Sequence, residues 1–341
     1  MKKIQPTEYT YASARIRALE NRMVGRERMD LLMEARTSDE VMDRLAEYGL
    51  TPPYVEGDIP VGEAQSAARE GMLLAVLKGA YDEVESSVPN PEVFRYFRYP
   101  YDCNNLKAAI KCAVRGIAAG DMLFDFGTVP ADEVEGLLRE GKLQDFPAAM
   151  AAAVPAAKEA FDKTGDPRRI DTILDRACYE DMLAAATATG EAALVGWLRT
   201  RMDLTNILIT LRILRMNMGE LGSGFLAESL LPGGVLGVDF FTAAYGAGEE
   251  SLWASLNRTP YERLARVEGE PRPLSAVEKA ADDLYMEQVR KDAKIPFGAT
   301  VVGGYLVGWE VAVKNLRIIL AAKDAELNAE VIRERIRVSY V

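Results

Sequence analysis

The stretch that decides how this chain is built is Tyr99-Pro100-Tyr101-Asp102-Cys103-Asn104-Asn105-Leu106-Lys107-Ala108-Ala109-Ile110-Lys111-Cys112. Its core is Asp102, then Asn105-Leu106-Lys107, then Ile110, and that core returns twice. The second copy reads Asp203, Asn206-Ile207-Leu208 and Leu211; the third reads Asn315-Leu316-Arg317 and Leu320, with Ala312 where the acid would stand. The three asparagines lie close to one third of the chain apart, and a proline beside an aromatic precedes each, at Pro53-Tyr54, Phe146-Pro147 and Pro260-Tyr261. Solenoid repeats have periods of about 20 to 50 residues, far shorter than this one. The pattern therefore predicts three small units, 1–125, 126–226 and 227–341, each with a corner, a spacer and an Asn-bearing helix.

An asparagine inside a helix competes with the backbone for hydrogen bonds and is mildly unfavourable there. Its return at one place three times predicts a structural role for Asn105, Asn206 and Asn315, with Asp102 and Asp203 beside them. The expected form is a partly buried amide that bonds a neighbouring helix end. The plainer alternative is an exposed, incidental amide, and neither gives these residues a catalytic part.

Outward from these copies the chain reads as helix throughout. Tyr9, Ala12, Ile16, Leu19 and Met23 form one apolar stripe, with Arg15, Arg17, Glu20 and Arg22 on the rest of that helix. Thr37-Ser38-Asp39-Glu40 has the spacing of a capping box. A long helix is expected over 61–85. Pro100 disfavours helix at Tyr99, which would start the Asn105 helix near Asp102 with that carboxylate as its cap. Asp203 is expected to open a strong helix that Gly219, Gly222 and Gly224 end, and Pro155 is expected to mark a break. Further helices are expected over 276–290, 304–323 and 329–337. Val and Ile fall at helical spacing and never alternate, so the fold class is all-α.

Composition narrows the function. The 341 residues suffice for two or three domains, and 49% are hydrophobic, as in ordinary globular chains. The net charge of −11 repels a phosphate backbone, which argues against nucleic acid. Three cysteines make no disulfide framework and suit a reducing compartment. There is no histidine, so the usual general base and the commonest transition-metal ligand are missing. The N-terminus, around Lys2, Lys3 and Glu8, has no apolar core of the signal-peptide kind. The longest uncharged run, 295–309, falls short of the roughly 20 apolar residues that span a bilayer.

No phosphate loop is present, and Gly222-Ser223-Gly224 and Gly246-Ala247-Gly248 lack the rest of a dinucleotide fingerprint. Asp282-Asp283 resembles half of the aspartate-rich magnesium site of all-helical prenyl-diphosphate enzymes, but Met286 stands where the later acid is needed. A solvated helix face is the plainer account of that pair, and a helix end of Asp121 and Asp125. No metal or cofactor site is expected.

Several segments, in order, carry a family likeness: 9–20 (Tyr-Thr-Tyr-Ala-Ser-Ala-Arg-Ile-Arg-Ala-Leu-Glu), Tyr101-Asp102 to Leu106-Lys107, Leu231-Pro232-Gly233-Gly234, Thr259-Pro260-Tyr261, and Gly304-Tyr305 through Glu310, Asn315-Leu316-Arg317 and Lys323 to Arg333 and Arg337. Together they resemble the C subunit of archaeal and bacterial V/A-type ATP synthases, the family that includes the d subunit of eukaryotic V-type ATPases. The resemblance implies a pseudo-threefold helical funnel acting as a non-catalytic rotor collar. Its partners would be the central axle subunits and the membrane proteolipid ring, and its place would be peripheral, on the cytoplasmic face of the cell membrane. It would transmit torque for ATP-coupled proton or sodium transport, with catalysis on other subunits. Ala312 and Trp309 depart from the family pattern. Candidate contacts are Arg15, Arg22 and Arg26 on the outer face of the first helix, Arg333, Arg335 and Arg337 on the last helix, and the glycine-rich stretch 298–308. The rival accounts are a magnesium-dependent enzyme of diphosphates built on Asp282-Asp283, and a general helical adaptor.

Overall fold

The computed structural model describes residues 5–51 and 63–341. The Pro53-Tyr54 corner, Lys2 and Lys3 lie outside the described residues. Among those described there are sixteen α-helices and no strand. They run in order α1 (Thr10–Glu20), α2 (Arg26–Glu34), α3 (Ser38–Glu47), α4 (Glu63–Ser87), α5 (Tyr99–Arg115), α6 (Ala131–Glu140), α7 (Ala148–Thr164), α8 (Arg168–Thr189) and α9 (Ala192–Met216). There follow α10 (Glu220–Ser229), α11 (Val238–Ala247), α12 (Glu249–Leu256), α13 (Glu262–Ala265), α14 (Leu274–Asp292), α15 (Ala299–Asp324) and α16 (Ala329–Arg333). The fold is all-α.

Contacts divide the chain into two compact units, one over Glu92–Ala265 and one joining the N-terminal part up to Pro91 with Arg266–Val341. The first holds Asn105 and Asn206, the second Asn315. The division at 125 and 226 describes where a motif recurs, which a partition by contact does not measure.

In the first unit α5, α6, α7 and α8 share one core, filled by Leu106, Ile110, Val134, Leu138, Met150, Val154, Ile170 and Leu174. Polar ties fix the register. Lys107 meets Asp175 at 2.7 Å and Lys111 meets Asp171 at 2.5 Å, so α5 and α8 run antiparallel. Gly165, in the left-handed conformation at φ 66°, turns the chain from α7 into α8. Asp181 of α8 accepts from the backbone N–H groups of Ala149 and Met150, both at 2.9 Å, and so caps the start of α7.

The second unit is built on α15, of which twenty residues are buried. A helix apolar on every side can only be stable when surrounded, and α1, α3, α4, α14 and α16 pack on it. The Arg69 guanidinium of α4 is 5% exposed yet holds Asp39 at 2.7 Å and Asp324 at 3.0 Å, joining α3, α4 and the end of α15. Burying a charge is tolerable only with partners of this kind.

Several expected boundaries are corrected. Helix α5 begins at Tyr99, because a proline in the first turn lacks only an N–H that would be unpaired anyway; Asp102 is therefore no cap and lies inside the helix. Asp203 sits in the middle of an unbroken α9, which ends at Asn217 with φ 48°. Gly222 and Gly224 lie within α10. Pro155 lies inside α7 and does not break it. Thr37 Oγ1 accepts from Glu40 N as expected, but Glu40 returns its carboxylate to Arg36 N. Helix α1 stops at Glu20, leaving Arg22 in the following turn and Arg26 at the start of α2; α16 stops at Arg333, leaving Arg335 and Arg337 beyond it.

Candidate functional site

Each repeated asparagine makes the same closed ring of two hydrogen bonds with one backbone residue. Asn105 Nδ2 donates to the Phe124 carbonyl at 2.8 Å, while its Oδ1 accepts from Phe124 N at 2.8 Å. Asn206 does this with Leu231 at 2.9 and 2.8 Å, and Asn315 with Arg337 at 3.0 and 3.0 Å. All three amides are fully buried, not half-buried as expected. The clamped residue lies 19, 25 and 22 residues downstream, in each case just after a short helix: the 3-10 turn Gly120–Met122, α10 and α16. A carboxamide presents a donor and an acceptor side by side, which matches the N–H and C=O of a single peptide residue. Burial requires both to be used.

Two of the three clamps carry a second fastening. Asp102 accepts from Thr128 N at 2.7 Å, Val129 N at 3.1 Å and Thr128 Oγ1 at 2.8 Å. Asp203 accepts from Val235 N at 2.9 Å, Leu236 N at 3.1 Å and the Tyr261 hydroxyl at 2.6 Å. Just before each pair of N–H donors stands a glycine, Gly127 or Gly234, and a Cβ there would overlap the aspartate Oδ1. In the third copy Ala312 supplies no acid, and Tyr340 occupies the place of the glycine. The acid and the glycine are thus present together or absent together.

Burial pushes the Asp102 and Asp203 carboxyls above the ordinary range, against the hydrogen bonds that favour their charged form. Burial also raises the Tyr261 phenol, helped by its bond to Asp203. These groups are occupied in holding loops.

The glycine-rich stretch 298–308 is likewise spent internally. A Cβ on Gly304 would meet Tyr340 Oη at 2.8 Å, and one on Gly308 would meet Tyr340 Cβ at 2.7 Å. Asp282 and Asp283 are no solvated face. Asp282 takes Lys314 at 2.5 Å and Arg337 at 3.0 Å, while Asp283, 4% exposed, takes Lys279 at 2.6 Å and Val338 N at 2.7 Å. Among the described residues no group of His, Cys, Asp or Glu side chains could hold a metal ion. Asp121 and Asp125 are exposed, at and just after the short 3-10 turn.

Of the candidate contact arginines, Arg22, Arg26 and Arg335 are exposed. Arg15 pairs with Glu83 at 2.5 Å, and Arg333 with Glu34 at 3.1 Å, both near the surface. Arg337 is only 11% exposed in its side chain and is held by Asp282, so it faces inward. The sequence did not single out the roles of Gly127, Gly234, Thr128 and Tyr261. One signal was available: in both copies that have the acid, a glycine stands three residues after the clamped position.

A family model described as "ATP synthase (C/AC39) subunit" matches residues 12–335. The chain is 25% identical to the C subunit of the A-type ATP synthase of Thermococcus onnurineus, over 96% of this chain and 90% of that one. It is 24% identical to the C subunit of the A-type ATP synthase of Methanocaldococcus jannaschii, covering 95% and 85% of the two chains. It is 21% identical to the C subunit of the V-type sodium ATPase of Enterococcus hirae, covering 98% and 99%. A match running through all three Asn-bearing helices, with relatives alike along nearly their whole length, means that the chain belongs to the ATP synthase (C/AC39) subunit family, as a structural rather than a catalytic subunit of that complex.

Proposed function

We propose that this chain is the central-rotor collar of an A/V-type rotary ATPase, seated between the central axle and the membrane proteolipid ring and carrying torque from one to the other. ATP turnover then occurs on other subunits and ion movement in the membrane. The observation that carries this reading is the family match over 12–335, which includes all three clamped asparagines. Three repeat units, 1–125, 126–226 and 227–341, in a pseudo-threefold funnel suit a socket around a rotating axis. The repeated clamp supports that arrangement, since it fastens a loop in the same way beside each Asn-bearing helix.

Torque transfer needs contacts that resist slipping, and broad multi-point surfaces serve this better than a single anchor. The proposed contacts are Arg15, Arg22, Arg26, Arg333 and Arg335; Arg337 leaves the set because Asp282 holds it inward. The collar is peripheral, on the cytoplasmic face of the membrane. No helix among the described residues is long and apolar enough to cross a bilayer. The test is purification of the tagged chain from native membranes in mild detergent. Axle subunits and ring proteolipid are expected to accompany it, and recovery without any other component of a rotary ATPase overturns the proposal.

A further inference from the structure

Two thiols meet between α5 and α8. The register of this antiparallel pair is set by Lys107 on Asp175 and Lys111 on Asp171, so the place one turn before Lys107 lies level with the place one turn after Asp175. Those two places hold Cys103 and Cys178. Both are free cysteines in one apolar core, 1% and 4% exposed. Their side chains are hydrogen-bonded to each other, and that bond together with burial pushes the Cys178 thiol well up, so Cys178 keeps its proton. The Cys103 sulfur also lies 3.6 Å from Asp175 Oδ1, on a side chain that is 47% exposed, and Lys107 donates to the same oxygen at 2.7 Å. Cys103 is thus one side chain below the surface, with an ammonium group beside it. The third cysteine, Cys112, has the Met122 sulfur as its neighbour at 3.9 Å.

We propose that Cys103 and Cys178 are a modification site, closed by hydrogen peroxide into a reversible disulfide that staples α5 to α8. Peroxide is small enough to pass a single surface side chain. The Cys103 sulfur attacks one peroxide oxygen, the O–O bond breaks, and Cys103 sulfenic acid and one water form. The Cys178 sulfur then displaces the sulfenic hydroxyl, which leaves with the Cys178 proton as a second water, and the S–S bond forms. The two thiols lose two electrons and the peroxide gains them. Lys107 acts as a positioning residue, its charge facing the sulfur that becomes negative during attack. A small thiol reverses the link by exchange. The staple joins the helix of the Asn105 clamp to the helix whose Asp181 caps α7, so oxidation holds this core shut.

The test treats the intact folded chain with about 1 mM hydrogen peroxide, then unfolds it and alkylates every remaining thiol. Before treatment three cysteines are expected to alkylate, and afterwards Cys112 alone. A peptide map without reductant is expected to contain Cys103 joined to Cys178, and dithiothreitol is expected to restore all three thiols. C178S is expected to stop at the Cys103 sulfenic acid, trapped by dimedone, while C112S forms the link as the parent does. K107Q is expected to form the link about tenfold more slowly at pH 7, with the native helix content kept in circular dichroism. The oxidised parent is expected to unfold at higher urea than the reduced one, and peroxide is expected to give C178S no such rise. Links that include Cys112, or a Cys103 that goes on to sulfinic acid in the parent without joining Cys178, overturn the proposal. So does a parent that keeps all three thiols under peroxide that oxidises its exposed Met122.

Discussion

Asn105, Asn206 and Asn315 each satisfy two buried backbone groups, so replacement by alanine leaves an N–H and a C=O without partners. Each substitution is expected to cost about 2 to 4 kcal/mol, read as a lowered midpoint in urea unfolding. Gly127→Ala places a methyl group against Asp102, and Asp102→Ala removes the obstacle, so the two changes are expected to be non-additive by about 1 kcal/mol or more in a double-mutant cycle. Additive costs would show that the carboxylate does not fill that space. Both aspartates titrate above the usual range, so in the window between the unfolded and folded values the native state binds more protons than the unfolded chain. Their contribution is complete below about pH 4 and falls as pH rises through the folded value. Asp102→Asn cannot ionise, so its cost relative to the parent is expected to shrink between about pH 4 and about pH 8; a growing cost would contradict the assignment. The asparagines stood out in the sequence because three copies carried them, and the aspartates because two did. Their partners did not, because Phe124, Leu231 and Arg337 are held through the backbone, which places no constraint on residue type.

At the scale of the element, helix existence was legible and helix limits were not. The stripes of α1, α3 and α8 follow from spacing alone. Asp203 lies in mid-helix, not at a start, because α9 is buried on several faces and tertiary packing carries helix straight through it. Proline misled twice in the same way: Pro100 lies in a first turn, and Pro155 lies within a helix whose neighbours hold it together. The glycines of α15 looked like a surface for a partner, and they do accept close approach, but from Tyr340 of the same chain. Gly308→Val is expected to destabilise by about 2 to 4 kcal/mol, since Tyr340 and Met23 both stand where the added atoms would go. Unfolding in guanidinium checks this, and a neutral result would mean that Tyr340 does not pack as described.

For the whole molecule, the sequence excluded more than it specified. A chain with no histidine, no phosphate loop and a net charge of −11 leaves little room for a nucleotide site or a nucleic-acid partner. The structure removed the remaining enzymatic reading by occupying Asp282 and Asp283 with cations and a backbone N–H. Which surface meets which partner was not legible, because exposed arginines on a solvated face look the same whether or not a partner covers them. Reversing Arg22, Arg26 and Arg335 to glutamate is expected to weaken assembly by about tenfold or more without lowering the unfolding midpoint, whereas Arg337→Ala is expected to lower the midpoint. The most direct test of the collar is a rotary ATPase reconstituted in vesicles with and without this chain. Without it, ATP hydrolysis is predicted to continue while ATP-driven ion uptake is lost, and adding the chain back restores uptake. Ion uptake that proceeds undiminished in its absence would contradict the account.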